Sequence, residues 1–329
     1  MKPLPRSVRV AVGLVVSVLA TFGLALSCAA QPFVAKVAPS SPVPTVDPKR
    51  LEAHVRTLAI DLHPRGHESP ARLDAVAEYI RKSFARLPGT MEEQQWAVSG
   101  KTYRNVILSL GPRQGERVIV GAHYDAALGL PGADDNASGV AGLLELAPLL
   151  ASAQLGARVD LVAWSLEEPP FYDTEDMGSV HHARALKAEG VSVRAAISLE
   201  MIGAFSDAPG SQHFPAPGMS LLYGDRGDFI ALVGRPSDRG LLASLKSTMA
   251  GATELPVRSL AAPAIVQGVD WSDHRSYWAE GWPAAMVTDT SFLRNPRYHT
   301  AADTPDTLDY VRMAKVVQGT FAAVLSLAR

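Results

Sequence analysis

The chain has 329 residues, 47% of them hydrophobic and 19% charged, with a formal net charge of −2 and one cysteine. That apolar fraction excludes a mostly disordered chain. Near-neutral charge gives no electrostatic footprint for nucleic acid. A single cysteine excludes an internal disulfide scaffold and any cysteine-based zinc finger.

Residues 1–9 carry Lys2, Arg6 and Arg9 and no acid, and Val10 to Leu26 are uncharged and almost wholly apolar. A basic start before an apolar run is the pattern of an export signal. The run ends in Leu24-Ala25-Leu26-Ser27-Cys28, which resembles the bacterial lipobox and implies lipid attachment at Cys28. Cleavage after Ala30 and retention as a simple membrane helix are the competing readings. All three place the rest of the chain outside the cytoplasm: in the cell envelope, periplasmic or surface-bound, or secreted. Residues 1–30 are thus read as signal or anchor. Residues 31–47, rich in Pro, Ser and Val, are read as a semi-extended tether.

From residue 48 to 329 the pattern is that of one α/β domain. Asp47-Pro48 is a helix start, with an acid as cap and proline in the first turn. Helices are expected near 48–61, 69–87, 138–153, 176–189, 237–250, 273–280 and 306–328. Strands are expected at Asn105–Leu110, Arg117–His123, Arg158–Ser165, Ala195–Ile202, Phe229–Val233 and Ala284–Thr288. The alternation predicts a three-layer α/β/α sandwich around a mixed, mostly parallel sheet. Residues 204–228 hold several Pro and Gly and no clear element, as functional or mobile stretches do.

Most of the informative polar residues stand at or just beyond the ends of predicted strands, which is where open α/β sheets place their sites, and Tyr298-His299-Thr300 lies in a loop before the final helix. One strand runs into His123-Tyr124-Asp125. Next come Gly132-Ala133-Asp134-Asp135-Asn136-Ala137-Ser138-Gly139, the pair Glu167-Glu168, Glu200 at another strand end, and Tyr298-His299-Thr300. Taken singly, each has a plain reading as surface histidine, solvated acid or helix cap. Together, two histidines and several carboxylates without cysteine suit zinc, or less selectively manganese or cobalt. Two bridged divalent ions need about five protein ligands. The sequence supplies that many and a further acid for a general base. Consecutive Glu167 and Glu168 point different ways, so one can bind metal while the other faces substrate.

This set of motifs, spread over nearly all of 48–329, resembles the co-catalytic zinc aminopeptidases, which include bacterial leucine aminopeptidases and the catalytic domain of glutamate carboxypeptidase II. The resemblance implies two zinc ions bridged by Asp135, one completed by His123 and Glu200 and the other by Glu168 and His299. It implies Glu167 as base and acid, Asp125 orienting His123, and often a cis peptide after the bridging acid. Tyr298, beside a ligand, is a candidate for oxyanion stabilisation or for simple packing. The family more often has Asp at the position of Glu200 and a glycine-containing turn where Pro169-Pro170 stands here.

The reading is therefore a di-zinc exopeptidase acting on peptides, most often an aminopeptidase. A mono-zinc glutaminyl cyclase, which typically has Trp at the position of Tyr298, and a non-catalytic exported binding domain are the alternatives. A substrate pocket is expected from 204–228 and 291–297. Ser272 or Asp273 is expected to cap a helix, while the family resemblance also implies a place near the pocket for Ser272-Asp273-His274; His181 and His182 are expected to pack or face solvent. His213 is a candidate for the pocket lining, and Arg294 or Arg297 is a candidate for binding a substrate carboxylate or faces solvent. The sequence fixes no oligomeric state.

Overall fold

A computed structural model describes residues 33–127 and 129–329, with scattered positions between 5 and 31. Cys28 lies outside the described residues. Among the described residues no helix is long and apolar enough to cross a membrane.

The elements in chain order are α1 (Pro48–Arg56), α2 (Pro70–Phe84), β1 (Thr90–Val98), β2 (Lys101–Leu110), β3 (Arg117–His123), α3 (Gly139–Ala151), β4 (Arg158–Trp164) and α4 (Gly178–Ala188). They continue with β5 (Val193–Glu200), a short α5 (Ser220–Tyr223), β6 (Ile230–Gly234), α6 (Arg239–Ala252), β7 (Val257–Ala261), α7 (His274–Ala279), β8 (Ala284–Thr288) and α8 (Tyr310–Leu327). The strands form one sheet in the order β1-β2-β4-β3-β5-β8-β6-β7. Strands β4, β3, β5 and β8 run parallel, and β2 and β6 run antiparallel to their neighbours in that block.

The parallel strands are apolar on both faces because both faces are covered. Leu143, Val317 and Leu245 from α3, α8 and α6 pack on one face, and Leu186, Tyr277 and Trp278 from α4 and α7 pack on the other. Each such fully buried side chain contributes roughly 1.5–3 kcal/mol. Gly121 in β3 is required by this packing, since a Cβ there would lie 2.4 Å from the Trp164 ring.

Strands β1 and β7, unforeseen in the sequence, are the two edges. β1 is charged and alternately exposed, and β7 is a five-residue strand with Arg258 at its second position. Asp47 caps α1 by accepting from the Lys49 amide at 2.9 Å. The final helix begins later than expected: Thr304-Pro305-Asp306 opens a single 3₁₀ turn, and Asp309 caps α8 through the Arg312 amide.

The segment read as a tether is extended but docked. The Val37 amide donates to Ser247 O at 3.1 Å and Gln318 Nε2 donates to Pro44 O at 3.0 Å. Val46 is buried in the core. Its prolines prevent a helix without preventing attachment along α6 and α8.

Candidate active site

Three parallel strands deliver their C-terminal ends to one edge: β3 at His123, β4 just before Glu167-Glu168, and β5 at Glu200. The fourth contribution is the loop Ala133–Ser138, whose Asp135 and Asn136 leave helical geometry and whose Asp135–Asn136 peptide is cis. Gly132 opens this loop with φ 56°, where a Cβ would lie 2.1 Å from Asp135 O, so only glycine fits. Asn136 ties the loop to β5, donating to Leu199 O at 2.8 Å and accepting from the Met201 amide at 3.0 Å. The fifth contribution is the loop ending at His299.

These segments bring together two clusters that share one residue. His123, Asp135 and Glu200 offer ligand atoms within 4.8 Å of one another, and so do Asp135, Glu168 and His299. In the first, His123 Nε2 lies 3.5 Å from Asp135 Oδ1 and 3.3 Å from Glu200 Oε2. In the second, His299 Nε2 lies 3.0 Å from Asp135 Oδ2 and 3.2 Å from Glu168 Oε2. The two oxygens of Asp135 thus face different histidines. Glu167 and Glu168 diverge: Glu167 Oε2 sits 3.8 Å from His123 Nε2, while Glu168 Oε1 accepts from the Ala127 amide at 2.9 Å.

Asp125 supports several of these at once. It accepts from the amides of Glu167 and Glu168 at 3.1 and 3.0 Å, and its Oδ1 lies 3.6 Å from His123 Nδ1. Backbone strain collects here too, since Leu166, Met201 and His299 have φ of 63°, 50° and 54°. Such left-handed non-glycine residues persist only where surroundings hold them.

The charge balance is lopsided. Burial, then the carboxylates of Glu200, Glu168 and Asp273, push the Glu167 carboxyl well above its ordinary range. Burial, then Asp135, lifts Glu168 to about 7. Burial would lower His123, but Glu200, Glu167, Asp125 and Asp135 together raise it well above normal. The nearby guanidinium of Arg65 donates to the backbone carbonyls of Pro131, Gly132 and Asp135 rather than to a carboxylate. Zinc fits this donor set: two imidazoles and several carboxylates converge, with ligand atoms within 4.8 Å of one another in each cluster, and these are ligands it accepts.

Sequence reasoning missed much of the support. Asp303 accepts from the amides of Asp134 and Asp135 at 3.0–3.1 Å, pinning the loop. Asn295 donates to Asp134 at 2.8 Å and joins that loop to the one carrying His299. Ser272 does not cap α7; its hydroxyl donates to Glu200 Oε2 at 2.8 Å. Asp273 makes no capping bond either, and both its carboxylate oxygens are buried without a partner. Asn295 and Asp303 carry no spacing signal of their own, whereas Ser272 stands in the Ser272-Asp273-His274 run that the family resemblance implied near the pocket.

Beside these residues lies a cavity of about 280 Å³ lined by Gln212, Phe214, Met219 and Tyr223 from the first expected interval and Ser291, Phe292 and Leu293 from the second. The Tyr298 ring stacks on His299 at 3.9 Å and also lines it. Burial and the surrounding carboxylates keep the Tyr298 hydroxyl protonated. His213 is exposed and off the cavity wall, and Arg297 is exposed. Arg294 is buried and donates to Gln212, Ala204 O and Phe229 O, a structural use. His181 stacks on Trp96 and His182 bonds to Tyr277, so both pack.

A buried carboxylate–histidine centre at the carboxyl end of a mixed sheet, next to an apolar cavity, defines a metallohydrolase of the α/β type. The model of peptidase family M28 matches residues 105–324, and the chain belongs to that family: it is a zinc metallopeptidase. It is 44% identical over 297 residues to the uncharacterized protein YfbL of Escherichia coli, covering 88% of this chain and 90% of that one. It is 26% identical over 290 residues to leucine aminopeptidase 1 of Ajellomyces dermatitidis, covering 84% and 70%. Its fold is similar to that of a zinc aminopeptidase from Bacillus subtilis, at TM-score 0.70 and 15% identity over 87% of this chain and 96% of that one. A glutaminyl cyclase from Fimbriiglobus ruber is similar at TM-score 0.67 and 22% identity, over 90% and 100%.

Proposed function

We propose that the chain is a two-zinc aminopeptidase. The observation that carries this reading is the shared Asp135, whose two oxygens face the two separate clusters of possible ligands. His123 and Glu200 would hold one ion, Glu168 and His299 the other, and Asp135 both. Bound zinc lowers the pKa of water and polarises a peptide carbonyl.

The chain's own residues do the rest. Glu167, buried and raised in proton affinity, takes the proton of the attacking water and returns it to the leaving amine. The Tyr298 hydroxyl, kept protonated, donates to the developing oxyanion. Asp125 positions the His123 ring and the backbone of the Glu167-Glu168 pair. The apolar cavity receives the side chain of the N-terminal residue. Glu167→Gln tests the assignment: it should bind zinc normally yet turn over leucyl-4-nitroanilide at a small fraction of the wild-type rate. Normal turnover would remove Glu167 as the base. A glutaminyl peptide that is cyclised rather than hydrolysed would favour the cyclase activity of the Fimbriiglobus relative.

We also propose that the enzyme is exported and lipid-anchored through Cys28. Loss of palmitate labelling in Cys28→Ser is the expected result, and retained labelling contradicts it.

A further inference from the structure

The far end of the cavity carries a charge for which the peptidase reading has no use. Arg258 lines the cavity from the edge strand β7. Among the described residues its guanidinium forms no ion pair, and its Nε is buried without a hydrogen-bond partner. The guanidinium carbon lies 6.0 Å from the centre of the Phe229 ring. That Nε gains from an anion able to accept its hydrogen bond, since no group among the described residues does so.

The sheet register fixes where that charge sits. Glu200 pairs with Thr288, Thr288 with Ala231, and Ala231 with Arg258. Paired residues share a face, so this row crosses four adjacent strands with a carboxylate at one end and a guanidinium at the other. Three strand spacings separate the ends by about 14 Å at the backbone. The neighbouring row Met286–Val233–Leu260 is wholly apolar. The cavity floor is thus a greasy track running from the zinc-binding edge to one cation. Lys246 lies nearby and adds no acid: it donates to Ala30 O and Gln31 O.

We propose that Arg258 makes the cavity selective for N-terminal residues whose side chain is an apolar stem ending in a carboxylate. This rests on the peptidase reading and names its substrate class.

The test uses zinc-loaded protein and matched pairs of 4-nitroanilides differing only in carboxylate or carboxamide: glutamyl and glutaminyl, 2-aminoadipyl and its ω-amide, 2-aminosuberyl and its ω-amide. The readout is the acid-to-amide ratio of kcat/KM within each variant, with zinc content and circular dichroism as checks on folding. Wild type should favour the acid by roughly ten- to a hundredfold at one stem length at least. Arg258→Met should bring the ratio close to one, and Arg258→Lys should keep part of it. An acid no better than its amide at every length overturns the proposal, as does a preference that survives Arg258→Met. If no substrate, leucyl-4-nitroanilide included, is hydrolysed, the peptidase reading fails. Calorimetric binding of free 2-aminosuberate against its ω-amide then decides the role of Arg258, and equal affinities overturn it.

Discussion

The two clusters that share Asp135 are held in different ways. His123 and Glu200 stand on the last residues of neighbouring-β strands in the middle of the sheet, with side chains 0% and 8% exposed. Glu200 is gripped by Ser272, which is in turn bonded to Ser198 on the same strand. Glu168 and His299 stand on loops, and the His299 side chain is 32% exposed. The inner cluster therefore inherits the rigidity of paired strands, while the outer one depends on the polar ties made by Asn295, Asp134 and Asp303. Residues fixed on sheet elements hold geometry more tightly than residues on loops. The inner position should bind zinc more firmly and the outer should exchange it more freely.

The largest break in this comparison is Asp135→Asn, which weakens both positions at once. Zinc content should fall at both, and kcat/KM should drop by about 10⁴-fold or more, read by metal analysis and steady-state kinetics. Next comes Glu167→Gln, which belongs to neither cluster. It should keep both ions and lose about 10²–10⁴-fold in kcat. A smaller and one-sided effect is expected of Ser272→Ala, which removes a donor to Glu200 alone. Competition with a chelator should show about tenfold weaker binding of the tighter ion and little change in the looser one.

The smallest effect on activity is expected far from both clusters. His182 is buried against Tyr277, and burial pushes it down to about 4. Its folded pKa lies below its unfolded value near 6.5, so the unfolded chain takes up the proton first. Stability from this residue is complete above about pH 6.5 and is lost as pH falls towards 4, by roughly 3 kcal/mol at most. His182→Phe should flatten that part of the urea-unfolding profile against pH. A profile unchanged by the substitution would show that His182 is not held neutral.

The same contrast explains what was legible in the sequence. Strands β3 and β8 were bounded correctly because β-branched runs there end at turn residues and are buried on both faces. The edges β1 and β7 were not, since a half-exposed strand such as TMEEQQWAV carries no continuous apolar signal. Every residue of the two clusters was named because each lies in a short local motif, three of them (His123, Glu168 and Glu200) at or just after a strand end and Asp135 and His299 in loops, and because the set of motifs resembles one family. Asn295, Asp303 and Arg65 reach the same centre from remote loops by tertiary packing, and single residues of those types have no pattern of their own. Arg258 was hidden for the same reason: only the register across β5, β8, β6 and β7 shows that it shares a cavity with Glu200.

If one carboxylate joins two zinc positions of unequal strength, the stoichiometry of binding must show it. Zinc per chain, measured by inductively coupled plasma mass spectrometry on protein loaded with excess metal and then desalted, tests it directly. Two ions are expected in wild type, one in His299→Ala and close to none in Asp135→Ala. One ion in wild type that persists in Asp135→Ala would contradict it.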